Sequence, residues 1–213
     1  MLIVVTNRHL CQDFLMQLER IARCRPGAVI LREKDLPESE YQKLAQDCAG
    51  ICVRYGVPLI VHSFVEVAQS MGMTEIHFSF VDFCAFCGRK ELAESPDFPE
   101  LPGKQRIPEA FSRVGVSVHS VAEAVMAEAC GASYVVAGHV FATDSKKWLE
   151  PRGVAFLADV CGAVRIPVYA IGGITPRNAR DVMGCGAADV CVMSSLMRAE
   201  EPERLVAEYM QTK

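Results

Sequence analysis

The feature that most constrains this chain is a repeat of short, nearly continuous apolar runs separated by helix-like segments. Eight runs stand in order: Leu2–Thr6, Ala28–Arg32, Pro58–Val61, Glu75–Phe78, Arg113–Val118, Tyr134–His139, Ile166–Ala170 and Asp189–Met193. Apolar runs without strict alternation fit parallel strands covered on both faces. Between them, Gln12–Cys24 carries Phe14, Leu15, Leu18 and Ile21 at helical spacing, and Ser39–Tyr55 does the same with Leu44, Ala45, Cys48 and Ile51. Ser120 and Glu123 form a capping box for a helix running to about Cys130. Thr175-Pro176 reads as the N-cap and first-turn proline of a helix over Pro176–Met183. Alternation repeated eight times in 213 residues predicts an α/β fold, a single (β/α)8 TIM barrel over residues 1–213, with a doubly wound open sheet as the alternative. One stretch breaks the pattern. Pro96, Pro99, Pro102, Gly103 and Pro108 predict a long loop at about 84–112, after strand four, placed to cover the barrel mouth.

Charge and composition narrow the partners. A net charge of −4 with no clustered basic face argues against nucleic acid. No stretch approaches the ~18 apolar residues of a membrane span, and Met1–Thr6 lacks the flanks of a signal peptide. Ten cysteines without an export signal predict reduced thiols and a cytoplasmic protein. Cys84-Ala-Phe-Cys87 has no second pair at zinc-ligand spacing, so it reads as two reduced thiols in an irregular loop, and no metal is expected there. The expected partner is a small molecule, with a homodimer as one assembly the chain could form.

In a barrel the acting residues sit at the C-terminal ends of strands and in the loops that follow. That rule selects Arg32, Glu33 and Lys34 after strand two, His62 and Ser63 after strand three, and His77 and Asp82 around the end of strand four. It adds Ser117, His119 and Ser120 from strand five, and His139, Thr143, Ser145, Lys146 and Lys147 from strand six. Gly172 and Gly173 follow strand seven; Met193, Ser194 and Ser195 end strand eight. Gly-Gly before a helix start lets backbone N–H groups approach an anion, and the loops after strands seven and eight often hold phosphate in barrels. Arg32, Lys34, Lys146 and Lys147 would add positive charge at the same mouth. Among the histidines, His139 is the leading acid/base candidate, because an imidazole titrates near neutral pH; His119 and His62 compete.

Gly115-Val-Ser-Val-His-Ser120, Gly138-His-Val-Phe-Ala-Thr-Asp-Ser-Lys-Lys147, Ala170-Ile-Gly-Gly-Ile-Thr-Pro176 and Val192-Met-Ser194 resemble the thiamine phosphate synthase/TenI superfamily. The resemblance is strong over residues 113–200 and thinner before. It implies the barrel, a place in or near thiamine biosynthesis, and a small phosphorylated thiazole-type substrate. Two activities divide that family. Synthases join hydroxymethylpyrimidine diphosphate to thiazole phosphate with Mg2+; TenI-type tautomerases shift a proton on a thiazole carboxylate phosphate without metal. Synthases usually carry Gly-Pro in the strand-six motif and Asn-Asp after strand three; here these positions hold Gly138-His139 and His62-Ser63. The resemblance therefore implies a metal-independent thiazole tautomerase, an isomerase with His139 as acid/base, phosphate held by Gly173, Met193 and Ser194, and no cofactor. Arg32, Lys34, Ser117, Thr143 and Lys146 also match diphosphate-binding positions, so a synthase is the alternative, with Mg2+ on Asp82. A non-catalytic regulatory barrel that binds a phosphorylated ligand is the second alternative.

Overall fold

Every strand runs parallel to its neighbours, as unbroken β-branched runs require when both faces are covered. The computed structural model describes residues 2–88 and 111–212. Its strands are β1 (Leu2–Val5), β2 (Ala28–Leu31), β3 (Leu59–His62), β4 (Glu75–Ser79), β5 (Arg113–Val118), β6 (Tyr134–Gly138), β7 (Val168–Ile171) and β8 (Asp189–Val192). They close in chain order, with β1 pairing both β2 and β8. The helices between them are α1 (Phe14–Arg23), α2 (Glu38–Tyr55), α3 (Val65–Ser70), α4 (Phe80–Phe86), α5 (Val121–Ala129), α6 (Gly153–Ala163), α7 (Ala179–Gly184), α8 (Ser194–Met197) and α9 (Pro202–Met210). This is the (β/α)8 barrel, not the open sheet.

Period-two side-chain alternation divides the apolar residues into two cores. Ile3, Val5, Ala28, Ile30, Ile60, Tyr134, Val136, Tyr169 and Cys191 form a cluster inside the barrel. Leu2, Val4, Val29, Leu31 and Val61 point outward to pack with helix residues such as Leu18, Ile21, Ala45 and Cys48. Full burial of such a side chain is worth about 1.5–3 kcal/mol, so both layers are needed to hold the sheet closed. Gly115 has a specific reason for its size. A Cβ there would stand 2.0 Å from Tyr134 Cζ, because the tyrosine ring crosses the barrel interior against β5.

Several local expectations shift. The seventh strand begins at Val168 rather than Ile166, since Pro167 has no N–H to donate and offers only its carbonyl, to Val135 N. In α2 the buried stripe is Tyr41, Ala45, Cys48 and Cys52, while Leu44 and Ile51 are half-buried. Ser120 caps α5 by accepting from Glu123 N, but the Glu123 carboxylate reaches back to His119 N at 2.6 Å, one residue earlier than a capping box predicts. The helix expected over Pro176–Met183 starts only at Ala179. Thr175 N donates instead to Asn178 Oδ1 at 2.7 Å, which holds residues 175–178 as a turn. Cys84 lies in α4, not in an irregular loop, and Cys87 follows at its C-terminal cap. The remainder of the loop expected at about 84–112 falls largely outside the described residues.

Candidate active site

All eight strands deliver their C-terminal ends to one rim, and the rim encloses a cavity of about 820 Å³. Of the residues selected above, Arg32, Lys34, His62, Ser117, His139, Thr143, Ser145, Lys146, Gly172, Gly173, Met193 and Ser194 line it. His77, His119 and Ser195 line it too; Glu33, Ser63, Asp82, Ser120 and Lys147 do not. Glu33 turns away to accept from Thr6 Oγ1 at 2.7 Å and from Arg8 N, so it braces β1 against β2. Reading strand ends two to eight missed Asn7, which follows β1 and lines the cavity; the same rule applied to strand one finds it. Arg198 was also missed, whereas its partner Asp144 stands in the stretch after strand six. They pair at 3.0 Å and tie the loop after β6 to the end of α8, a long-range contact with no local signal.

The anion end lies between β7 and β8, which are paired at Ile171↔Cys191. Gly172 and Gly173 have φ of 101° and 63°, a region that disfavours any side chain. A Cβ on Gly172 would meet His139 Cβ at 2.3 Å, and one on Gly173 would meet the Ala142 carbonyl oxygen at 2.4 Å. The two glycines therefore let the β6 and β7 loops pack together as well as opening the backbone to a ligand. Among the described residues, the N–H groups of Gly173, Ser194 and Ser195 have no protein acceptor, which suits them to phosphate oxygens. Residues 175–178 form a turn, so the helix start expected directly after the glycines lies further on at Ala179, while Ser194 and Ser195 open α8.

Positive charge lines the same cavity. Among the described residues, Arg32, Lys34 and Lys146 make no ion pair, although all three line the cavity. Burial lowers the Arg32 guanidinium from its ordinary value. Burial and then the charge of Arg32 lower Lys34. Lys146 is lowered by burial, then by Arg152 and Arg32. Three cations gathered in one cavity, two of them held down in part by the charge of Arg32, are suited to a multiply charged anion.

Three buried histidines have different environments. His77 is bonded at both nitrogens, Nε2 to Ser117 Oγ at 2.8 Å and Nδ1 to Tyr134 Oη at 3.2 Å; burial, then Lys34 and Arg32, push it down to about 3. His139 places Nε2 3.3 Å from the Leu149 carbonyl, and its Nδ1 is sealed from solvent without a partner among the described residues. His62 has Nδ1 2.9 Å from Ser63 Oγ, and burial followed by His77, Lys34 and Arg32 holds it well below the usual histidine range. Both His62 and His77 are neutral imidazoles near pH 7.

The corner between β3 and α4 does not fit a magnesium site. That ion takes oxygen ligands in near-octahedral geometry, usually including one or two carboxylates. Asp82 offers one carboxylate, but its Oδ2 already accepts from Ser63 Oγ at 2.6 Å and from Ser79 Oγ at 2.5 Å. No group of three or more His, Cys, Asp or Glu among the described residues could hold a metal ion. Likewise, no described helix is long and apolar enough to cross a membrane.

A closed parallel barrel with one large cavity at the C-terminal ends of its strands, lined by backbone donors after strands seven and eight and by cations, defines the class: a (β/α)8 barrel protein with a small-molecule pocket at the rim. The chain matches the TMP-TENI family, thiamine monophosphate synthase, over residues 2–90 and 103–196, and it belongs to that family. Membership places it in thiamine biosynthesis. Thiamine-phosphate synthase 2 of Streptococcus pneumoniae is 32% identical over 213 residues, covering 98% of this chain and 93% of the relative. A thiamine-phosphate synthase of Roseiflexus is 34% identical over 203 residues, covering 94% and 79%. Thiamine phosphate pyrophosphorylase of Pyrococcus furiosus superposes with a TM-score of 0.79 at 27% identity, covering 99% and 94%.

Proposed function

We propose that the chain joins a pyrimidine diphosphate to a thiazole phosphate, the transferase reaction for which its relatives are named. The observation that carries this reading is the set of three cations, Arg32, Lys34 and Lys146, unpaired among the described residues and facing one cavity. A diphosphate leaving group builds negative charge as its C–O bond breaks, and preorganised cations stabilise that charge at the moment it forms. The electron pair of the broken bond leaves on the diphosphate while the thiazole nitrogen pair makes the new bond to carbon. The free N–H groups at Gly173 and Ser194 would hold the thiazole phosphate. Strands six and seven bring the two ends within one pocket, so orientation contributes alongside charge. The relatives' names favour this transferase over the isomerase expected from the strand-six motif.

Isomerisation of a thiazole carboxylate phosphate remains the second reading. It is favoured by one observation: the β3–α4 corner carries Ser63 where a synthase has a second carboxylate. The test offers the purified protein the pyrimidine diphosphate and thiazole phosphate, with and without Mg2+, and measures thiamine phosphate. Product should form, and Lys34→Ala should cut kcat/KM by about a hundredfold. Absence of product, together with a fast ultraviolet change on the non-aromatic thiazole tautomer, would replace the transferase by the isomerase.

A further inference from the structure

One ion pair joins two lips of the cavity. Of the Lys and Arg side chains that line it, Arg198 alone has a carboxylate partner among the described residues, Asp144 Oδ2 at 3.0 Å. Asp144 is in turn the only carboxylate among the described residues that lines the cavity. Arg32, Lys34 and Lys146 are thus left for a ligand, whereas Arg198 is already engaged. The two side chains are 48% and 61% exposed. A pair so open to water contributes little to stability, so little is lost when its members separate.

Two sets of contacts place the pair at the Gly173–Ser194 end of the rim. Arg198 N donates to the Ser194 carbonyl at 3.0 Å, which sets Arg198 one helical turn beyond Ser194 on the same face of α8. Helical side chains lean back toward the N-terminus, so the arginine extends toward Ser194 rather than away from it. On the other lip, the loop after β6 is pinned to the end of β7. Val140 N donates to the Ile171 carbonyl at 2.9 Å, and Phe141 N to the Gly172 carbonyl at 3.0 Å. Asp144 follows three residues later, opening the short 3-10 turn Asp144–Lys146. Lys147 Nζ lies 4.0 Å from Asp144 Oδ1, so the carboxylate keeps a cation beside it when Arg198 leaves.

We propose that Arg198 is a contact for the ligand phosphate that Asp144 occupies in the free protein: a phosphate dianion arriving at Gly173 and Ser194 takes the guanidinium from the carboxylate. The inference deepens the transferase reading and rests on its placement of the thiazole phosphate. A guanidinium grips carboxylate and phosphate in the same forked geometry, so Asp144 stands in for the ligand's oxygens. The dianion carries more charge than the carboxylate, and exchange favours it. A neutral alcohol offers the arginine no such replacement, so the exchange selects for phosphorylated ligands. If the pair were only a tie between the β6 loop and α8, removing either partner would act in the same direction. Exchange requires opposite directions.

Calorimetry with thiazole phosphate on the parent, Arg198→Gln, Asp144→Asn and the double variant separates the two. Arg198→Gln should weaken binding by about tenfold, the loss of a charge-assisted hydrogen bond. Asp144→Asn should tighten it roughly threefold, because the guanidinium starts free. The double variant should match Arg198→Gln, since Asp144 acts only through the arginine. The unphosphorylated thiazole alcohol should bind all four proteins alike. Arg198→Lys should recover part of the lost affinity, and urea midpoints should move little across the set. Asp144→Asn weakening binding as Arg198→Gln does, or Arg198→Gln binding as tightly as the parent, overturns the inference. Thiamine phosphate formation is assayed on the same proteins. Opposed affinity changes in a protein that forms no thiamine phosphate support the exchange and sink the transferase. Product formation with affinities that do not move overturns the exchange and leaves the transferase standing. A parent that does not bind thiazole phosphate overturns both.

Discussion

Gly172 and Gly173 show how narrowly single positions are specified at the rim. Each has a positive φ, and each would drive a Cβ into the loop after β6. Gly173→Ala should therefore displace the Ala142 carbonyl or the phosphate loop, destabilise by about 1–3 kcal/mol, and weaken thiazole phosphate binding by calorimetry. Gly184, in the last turn of α7, has nothing within 4 Å of a built Cβ. Gly184→Ala should leave affinity unchanged and stabilise by roughly 0.5–1 kcal/mol. Equal effects at the two positions would show that the β6–β7 packing is not what requires Gly173. At this scale the sequence disclosed residue types and little of their wiring. His62, Ser63, His77 and Asp82 could all be named from strand-end position. That Ser63 bridges His62 to Asp82 follows from its left-handed backbone and from α4 folding back on β4, neither of which has a local sequence signature.

Elements were more legible where one face is simply apolar. The runs that became β1, β2, β5 and β8 could be located from composition, because a buried parallel strand needs no partner-specific residues to be apolar. Element ends were harder. Thr175-Pro176 has the chemistry of a helix start, yet Asn178 takes the Thr175 N–H and donates Nδ2 to the Gly173 carbonyl at 3.1 Å. One side chain thereby closes both ends of the Gly173–Asn178 loop and delays α7. Asn178→Ala should free that loop while leaving the barrel intact. Thiazole phosphate affinity should fall about fivefold, equivalent to about 1 kcal/mol, with little movement of the urea midpoint. Unchanged affinity would mean the loop is held by its glycines alone.

For the whole molecule, burying neutral histidines ties stability to pH. His77 is held at about 3 and His62 well below its ordinary value, whereas in the unfolded chain both titrate near 6.5. Between those limits the unfolded state binds more protons than the folded state. Stability from these two residues is therefore complete above about pH 6.5 and falls as pH drops below it, down to about pH 3 for His77, by up to about 1.4 kcal/mol per pH unit for each. Urea midpoints should decline steadily from about pH 7 to pH 5, and His77→Gln should flatten the decline. A midpoint constant over that range would show that the imidazoles are hydrated in the folded protein.

By itself, the sequence determined the alternation of strands and helices and the identities of the groups at their ends. Both depend on local patterning: which residues are apolar, and which follow a strand. Only the tertiary structure decided which of those groups meet. Parallel pairing sets His62 beside His77, the turn of Ser63 aims a hydroxyl at Asp82, and closure of β8 on β1 gathers the strand ends round one cavity. Such contacts join residues far apart in the chain. They arise from backbone conformation and barrel closure, which no single segment encodes.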